Sequence, residues 1–212
     1  MIEKAPIDLK KYQKDIGYVH QTDLFKANLT VTEHLDFIFQ LKALHNNDMK
    51  YSIIGQTIEN LNLTKVSDSI IKTLSGGEKK RLSTATELIS NPKILFLDEP
   101  TSGLDSSMAR SMINCLNTIK SNMVIILTIH QPSIYIYYSF DWIYLLKDGY
   151  LTYYDRPAQT PEYFSRMGYI CPEHENIAEF ILDVVSTNDV SEYKKDVLLG
   201  LYWNQDIEAG TT

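Results

Sequence analysis

From residue 16 onward, short apolar runs alternate with stretches whose apolar residues fall at helical spacing. Ile16-Gly17-Tyr18-Val19-His20 reads as a short strand that stops at Gln21-Thr22-Asp23. Thr30 and Glu33 have the spacing of a capping box, and Leu35, Ile38 and Phe39 follow on one helical face. His34 lies in the first turn of that helix, where a solvated side chain is expected. Two asparagines and an aspartate within residues 44–48 break the helix. Ile53, Ile54, Ile58 and Leu61 then mark a second amphipathic helix. Ser75 and Glu78 frame another capping box, whose helix would turn Leu82, Ala85, Leu88 and Ile89 inward. Gly76 and Gly77 at its start allow a close backbone approach, and the N–H groups of a helix start favour an anion.

Ile94-Leu95-Phe96-Leu97 is an apolar run that stops at Asp98-Glu99-Pro100. That is the pattern of a buried parallel strand delivering charge at its C-terminal end. A helix follows with Ala109, Met112, Ile113, Leu116 and Ile119 on one face, Met112 being core. Residues 124–129 form a continuous run rich in β-branched side chains, read as a central strand beside the acidic one. His130 at its end therefore points to the same sheet edge. Trp142-Ile143-Tyr144-Leu145-Leu146 and Leu151-Thr152-Tyr153-Tyr154 flank Asp148-Gly149, a hairpin signal. Thr160-Pro161-Glu162 opens a helix with proline in its first turn. The first dozen residues and those beyond 187 are mostly polar. No repeat or linker sets off a second domain.

Composition adds limits. The 212 residues are 44% hydrophobic and 22% charged, ordinary for a globular domain. A net charge of -7 disfavours unspecific nucleic-acid binding. Cys115 and Cys171 are far apart, without metal-ligand spacing, and suggest a reducing compartment without a disulfide framework. No stretch approaches the roughly 20 apolar residues that span a bilayer, and the N-terminal residues lack the apolar core of a signal peptide. Any membrane attachment would come from another chain or segment.

Taken singly, the polar motifs have plain readings: Ser-Gly-Gly as a cap and turn, Gln21 as a surface amide, the acids as a solvated strand end, His130 as structural. Taken together, Leu74-Ser75-Gly76-Gly77-Glu78-Lys79-Lys80-Arg81 followed by Ile94-Leu95-Phe96-Leu97-Asp98-Glu99-Pro100-Thr101-Ser102-Gly103-Leu104-Asp105 resembles the signature loop, Walker B strand and D-loop of ATP-binding cassette (ABC) transporter ATPase domains. Tyr18-Val19-His20-Gln21 resembles the glutamine loop of that family. His130-Gln131-Pro132, with residues 155–187, resembles its G subfamily. Ile177 departs from that pattern, which has proline after the asparagine.

The resemblance implies an α/β fold: a P-loop NTPase-like (RecA-like) core with a mostly parallel sheet and an inserted helical subdomain over about residues 30–90. Residues 1–212 would be a partial ATPase domain, with its early strands and P-loop missing, because no Gly-x-x-x-x-Gly-Lys-Ser/Thr occurs. An exposed sheet edge or apolar face should follow. The resemblance assigns Glu99 as general base, with Gln21 and His130 placing water and phosphate. It assigns Asp98 and Gln21 to Mg, and Ser75, Gly76, Gly77, Glu78 and Asp105 to ATP contacts or coupling across a dimer. It implies ATP and Mg as cofactors. The implied partners are a second ABC ATPase domain with a P-loop and a transmembrane domain on another chain, with no nucleic acid. The place of work would be cytoplasmic, peripheral at a membrane. The implied function is an ATP-hydrolysing subunit that drives transmembrane transport, with weak or no nucleotide binding by the stretch alone. The alternatives are a non-catalytic partner lending its signature loop, or an inactive remnant.

Overall fold

Three of the apolar runs become strands β1 (Ile16–Val19), β2 (Ile94–Leu97) and β3 (Val124–Leu127), all parallel, in the order β1-β2-β3. The structure is a computed structural model, and it describes residues 12, 14–22, 25–42, 49–147 and 150–187. Asp23, the breaker at 44–48, the Asp148-Gly149 turn and the polar stretches 1–11 and 188–212 lie outside the described residues. The backbone gathers into two compact units, Met1–His130 and Gln131–Thr212.

In the first unit the strands pair in register, Ile16 with Ile94 and Ile94 with Val124. Helices α1 (Val31–Leu41), α2 (Lys50–Asn60), α3 (Gly76–Leu88) and α4 (Ser106–Ile119) accompany them. Capping explains where α1 begins: Thr30 and Glu33 form a reciprocal box. Asp105 caps α4 by accepting from the N–H groups of Ser107 and Met108 at 2.9 and 2.8 Å. The inward residues of α3 are buried, Leu82 and Ala85 completely. Each buried leucine or isoleucine contributes about 1.5–3 kcal/mol. Helix α3 packs on β1. An added Cβ at Gly17 would lie 3.0 Å from Leu95 Cδ1 and 3.3 Å from Glu87 Cβ, so this close approach requires glycine.

The two faces of the sheet differ. Val19, Leu95 and Leu97 are buried on one. On the other, Tyr18, Val124 and Ile126 are 46%, 58% and 47% exposed. Ile16, Ile94 and Phe96 on this face are half-buried, so the exposed apolar surface is confined to Tyr18 and the outer side of β3. The reading of residues 124–129 as a central strand needs correction. Strand β3 stops at Leu127 and is an edge of the sheet formed by the described strands, with β2 at the centre. Its continuous apolar sequence suits cover on both sides, but here even the Ile125 and Leu127 side is only half-buried.

His34 is a second correction. It is buried, its Nε2 lies 3.0 Å from Thr86 Oγ1, and its ring meets Phe25 edge-on at 5.4 Å. A first-turn residue is solvated only if that side of the helix is free, and α1 packs this side on α3. Burial lowers the His34 pKa below its ordinary value of 6.5.

The second unit contains α5 (Ile134–Tyr137), the antiparallel pair β4 (Ile143–Lys147) and β5 (Tyr150–Asp155), α6 (Thr160–Arg166) and α7 (Ile177–Ser186). Its core joins Tyr137, Tyr153, Phe164, Ile177 and Ile181. Buried hydroxyls link across it: Tyr137 donates to Thr160 at 2.7 Å, and Thr160 to Tyr153 at 3.1 Å. Burial pushes the Tyr153 phenol up to about 12. Asn176 caps α7 through Ala178 N–H and donates to the Pro132 carbonyl at 3.0 Å. Both cysteines are free, Cys115 buried and Cys171 half-buried. No helix among the described residues is long and apolar enough to cross a membrane.

Candidate functional site

At the C-terminal ends of β1, β2 and β3 the chain collects four polar side chains. The Asp98 N–H donates to the Val19 carbonyl at 2.9 Å, continuing the β1–β2 pairing to the acids. Asp98 and Glu99 are half-buried. Gln21, just past β1, donates from Nε2 to Glu99 Oε2 at 2.9 Å, across 78 positions of sequence. Thr128, just past β3, does two things. Its hydroxyl donates to Asp98 Oδ1 at 2.9 Å and accepts from the Glu99 N–H at 3.0 Å. Glu99 has φ 45°, in the left-handed region. Such a backbone costs a non-glycine residue about 1–3 kcal/mol and persists only where surroundings over-determine it. Here three bonds do so: Thr128 on its N–H, Gln21 on its carboxylate, and the Ser102 N–H on its carbonyl at 3.0 Å.

The glycine-led helix start is built locally. Ser75 caps α3, its hydroxyl accepting from the Glu78 N–H at 3.3 Å. Glu78 Oε2 accepts from both the Ser75 N–H and hydroxyl at 2.8 Å. These bonds, and then the Arg81 charge, hold the Glu78 carboxyl below its ordinary 4.5. The two glycines differ. A Cβ on Gly77 would sit 3.2 Å from Met108 Sδ, so Gly77 serves the contact between α3 and α4. A Cβ on Gly76 would find its nearest neighbour, Leu104 Cδ2, at an ordinary 3.7 Å. Gly76 is exposed, and internal packing does not demand it.

The remaining expected residues are placed as follows. Asp105 is engaged as the cap of α4. It follows a turn in which Gly103 takes φ 73°, a conformation that favours glycine. His130 is exposed and stands two residues beyond Thr128. Two residues were missed in the sequence. Thr128 was read only as part of an apolar run. Lys80 was read only as part of a charged motif, yet it is 9% exposed and its ammonium donates to the Gln21 carbonyl. The available signal was spacing: Gly77, Lys80, Thr84 and Leu88 follow one another at helical intervals on a buried stripe of α3, beside Leu82 and Ala85.

The residues fit a magnesium nucleotide in a limited sense. Among the described residues no group of three His, Cys, Asp or Glu could hold a metal by itself. Mg²⁺ is commonly held by one or two carboxylates with phosphate oxygens and water. Asp98, held through Thr128, and Gln21, held on Glu99, offer one carboxylate and one amide oxygen at this strand edge. The exposed first turn of α3, with Gly76 unobstructed, suits a phosphate.

Comparison with known proteins gives a consistent result. A family model described as "ABC transporter" matches residues 2–102, and one described as "ABC-2 type transporter" matches residues 130–203. The chain is 38% identical over 187 residues to a probable ATP-dependent permease of Saccharomyces cerevisiae, covering 84% of this chain and 18% of the permease. It is 38% identical over 197 residues to protein white of Drosophila melanogaster, covering 88% of this chain and 28% of white. It is 42% identical over 178 residues to the broad substrate specificity ATP-binding cassette transporter ABCG2 of Sus scrofa, covering 80% of this chain and 27% of that protein. The chain thus spans under a third of the length of these relatives. Among solved structures it resembles cbiO1 of Clostridium perfringens, part of the ABC transporter complex cbiONQ. The TM-score is 0.63 at 26% identity, covering 75% of this chain and 62% of that one.

Proposed function

This chain belongs to the ABC transporter ATPase family, in a G-subfamily-like lineage, and on that premise we propose that it works as part of an ATP-hydrolysing subunit coupled to transmembrane transport. What carries the reading is the convergence of Gln21, Asp98 and Glu99 on one edge of a parallel sheet, joined through Thr128.

In this reading Glu99 polarises the attacking water and takes its proton. Gln21 aims the Glu99 carboxylate and, with Asp98, faces the cation. His130 orients the water and the terminal phosphate. Mg-ATP, when bound, supplies the phosphoryl group and the charge that neutralises its transfer. Ser75, Gly76 and Gly77 close over a nucleotide held by a second ATPase domain, using the N–H groups and positive end of α3. The 212 residues contain no Gly-x-x-x-x-Gly-Lys-Ser/Thr, so the phosphate cradle of either site comes from outside this stretch. Each charge-assisted hydrogen bond of such a cradle contributes about 1.5–3 kcal/mol. The stretch by itself should therefore hold ATP weakly. A transmembrane domain is the second partner, and it would place the chain at the cytoplasmic side of a membrane.

ATP turnover tests the proposal. The chain is assayed alone and mixed with a P-loop-bearing ABC ATPase domain. Mixing should raise turnover above that of the partner, and Ser75→Arg should remove the gain. Any turnover by the chain itself should vanish in Glu99→Gln. Absence of turnover in both arrangements contradicts the proposal. A gain on mixing without turnover by the chain alone selects a non-catalytic role in which only the signature loop is lent. The self-contained Ser75 cap favours that role as the second reading.

A further inference from the structure

Helix α3 contains a lysine where its pattern calls for an apolar residue. Gly77, Lys80, Thr84 and Leu88 lie on one buried stripe, and Lys80 is 9% exposed. Burying an ammonium is costly unless it is hydrogen-bonded. This one donates to the backbone carbonyl of Gln21, 59 positions earlier in the chain. Gln21 in turn donates its side-chain amide to Glu99 Oε2 at 2.9 Å. Three sequence motifs are thus joined in series: the helix behind the signature loop, the glutamine loop and the acidic strand end.

We infer that Lys80 is a positioning residue that fixes the backbone of Gln21 and, through it, the aim of the Glu99 carboxylate. The geometry supports a specific role for the cation. Gln21 is exposed and follows the last residue of β1 by two, so strand pairing does not hold it directly. The β1–β2 ladder ends with Val19 opposite Leu97. Beyond that point Lys80 supplies an anchor from a different element. Lys80 lies five residues beyond Ser75, the cap of the same helix, roughly 7.5 Å along its axis at 1.5 Å per residue. Whatever fixes the helix start also fixes the anchor of Gln21. A methionine of similar length would fill the stripe but offer no donor, and would leave the Gln21 carbonyl without this partner. An arginine keeps the donor and the charge.

The inference rests on the proposed role of Glu99, but its test needs no nucleotide, so the two can fail separately. The full 212-residue chain is isotope-labelled, and hydrogen exchange of the Gln21 side-chain amide is followed by NMR in the parent, Lys80→Met and Lys80→Arg. Lys80→Met should speed that exchange roughly tenfold, the scale of one lost charge-assisted hydrogen bond, while the Leu82 and Ala85 amides keep their rates. Lys80→Arg should restore slow exchange at Gln21. Unchanged Gln21 exchange in Lys80→Met overturns the inference. So does a uniform acceleration of Gln21 and α3 that Lys80→Arg does not rescue, since Lys80 would then merely fill the core. Should Lys80→Met fail to fold, the parent decides. A slowly exchanging Lys80 ammonium with a through-hydrogen-bond coupling to the Gln21 carbonyl upholds the inference, and an ammonium averaged with the surface lysines overturns it.

Discussion

The helix start at Ser75 and the acidic edge at Glu99 reach order by opposite routes. The helix start is ordered from within. Ser75 and Glu78 hold each other across three positions, and every polar bond of the cap lies within the motif. The acidic edge is ordered from outside. Gln21, Lys80 and Thr128 hold it across separations of 78, 59 and 29 positions. A motif closed on itself can present its N–H groups whatever surrounds it. An edge assembled from three strands is only as well aimed as the sheet beneath it, and this sheet is better covered on one face than on the other.

The contrast can be broken first at the sheet. Leu97, 2% exposed, precedes the acids on the covered face. Leu97→Ala should cost about 2–5 kcal/mol of stability, measured by urea unfolding. In the folded protein it should also release the Gln21–Glu99 contact while the Ser75 cap persists. The reverse pattern, with the cap lost and the acid contact kept, would invert the comparison.

The cap is the next target. Ser75→Ala should cost about 0.5–2 kcal/mol and expose the first-turn amides of α3 to exchange, with Glu99 undisturbed. A still smaller change tests the edge from its third strand. Thr128→Val removes the bridge between Asp98 and the Glu99 N–H and should cost about 0.5–1.5 kcal/mol. Thr128→Ser should behave like the parent. A loss in Thr128→Ser with none in Thr128→Val would show that the methyl group, rather than the hydroxyl, matters at this position.

The smallest effect is one of pH. The Glu78 carboxyl is held below its ordinary 4.5 in the folded chain by its bonds to Ser75. A lowered folded-state pKa gives stability that is fully present above 4.5 and fades as pH falls through the folded value. Glu78→Gln should therefore lower stability slightly on the neutral side, where the ionised carboxylate contributes, and flatten the acid limb so that the two profiles converge as pH falls below 4.5. An unchanged acid limb would mean that the carboxylate gains nothing from the cap.

What could be read in the sequence follows the same division. Both capping boxes, the inward faces of α3 and α4 and the parallel acidic strand were legible, because each is written in neighbouring residues. Gln21 was singled out only through the family resemblance, since nothing near it announces a partner 78 positions away. Thr128 and Lys80 were missed for that reason, their meaning lying in what other elements bring to them. The bare side of β3 and the burial of His34 are of the same kind, set by which neighbours cover a strand or a helix. The division after His130 falls where no glycine- or serine-rich linker marks it.

Sedimentation velocity of the chain mixed with a P-loop-bearing ABC ATPase domain, with and without Mg-ATP, tests most directly whether the capped helix start closes over a nucleotide held by another domain. We expect a heterodimer that forms only with Mg-ATP and is lost in Ser75→Arg. A complex indifferent to both nucleotide and Ser75→Arg, or no complex under either condition, would contradict that role.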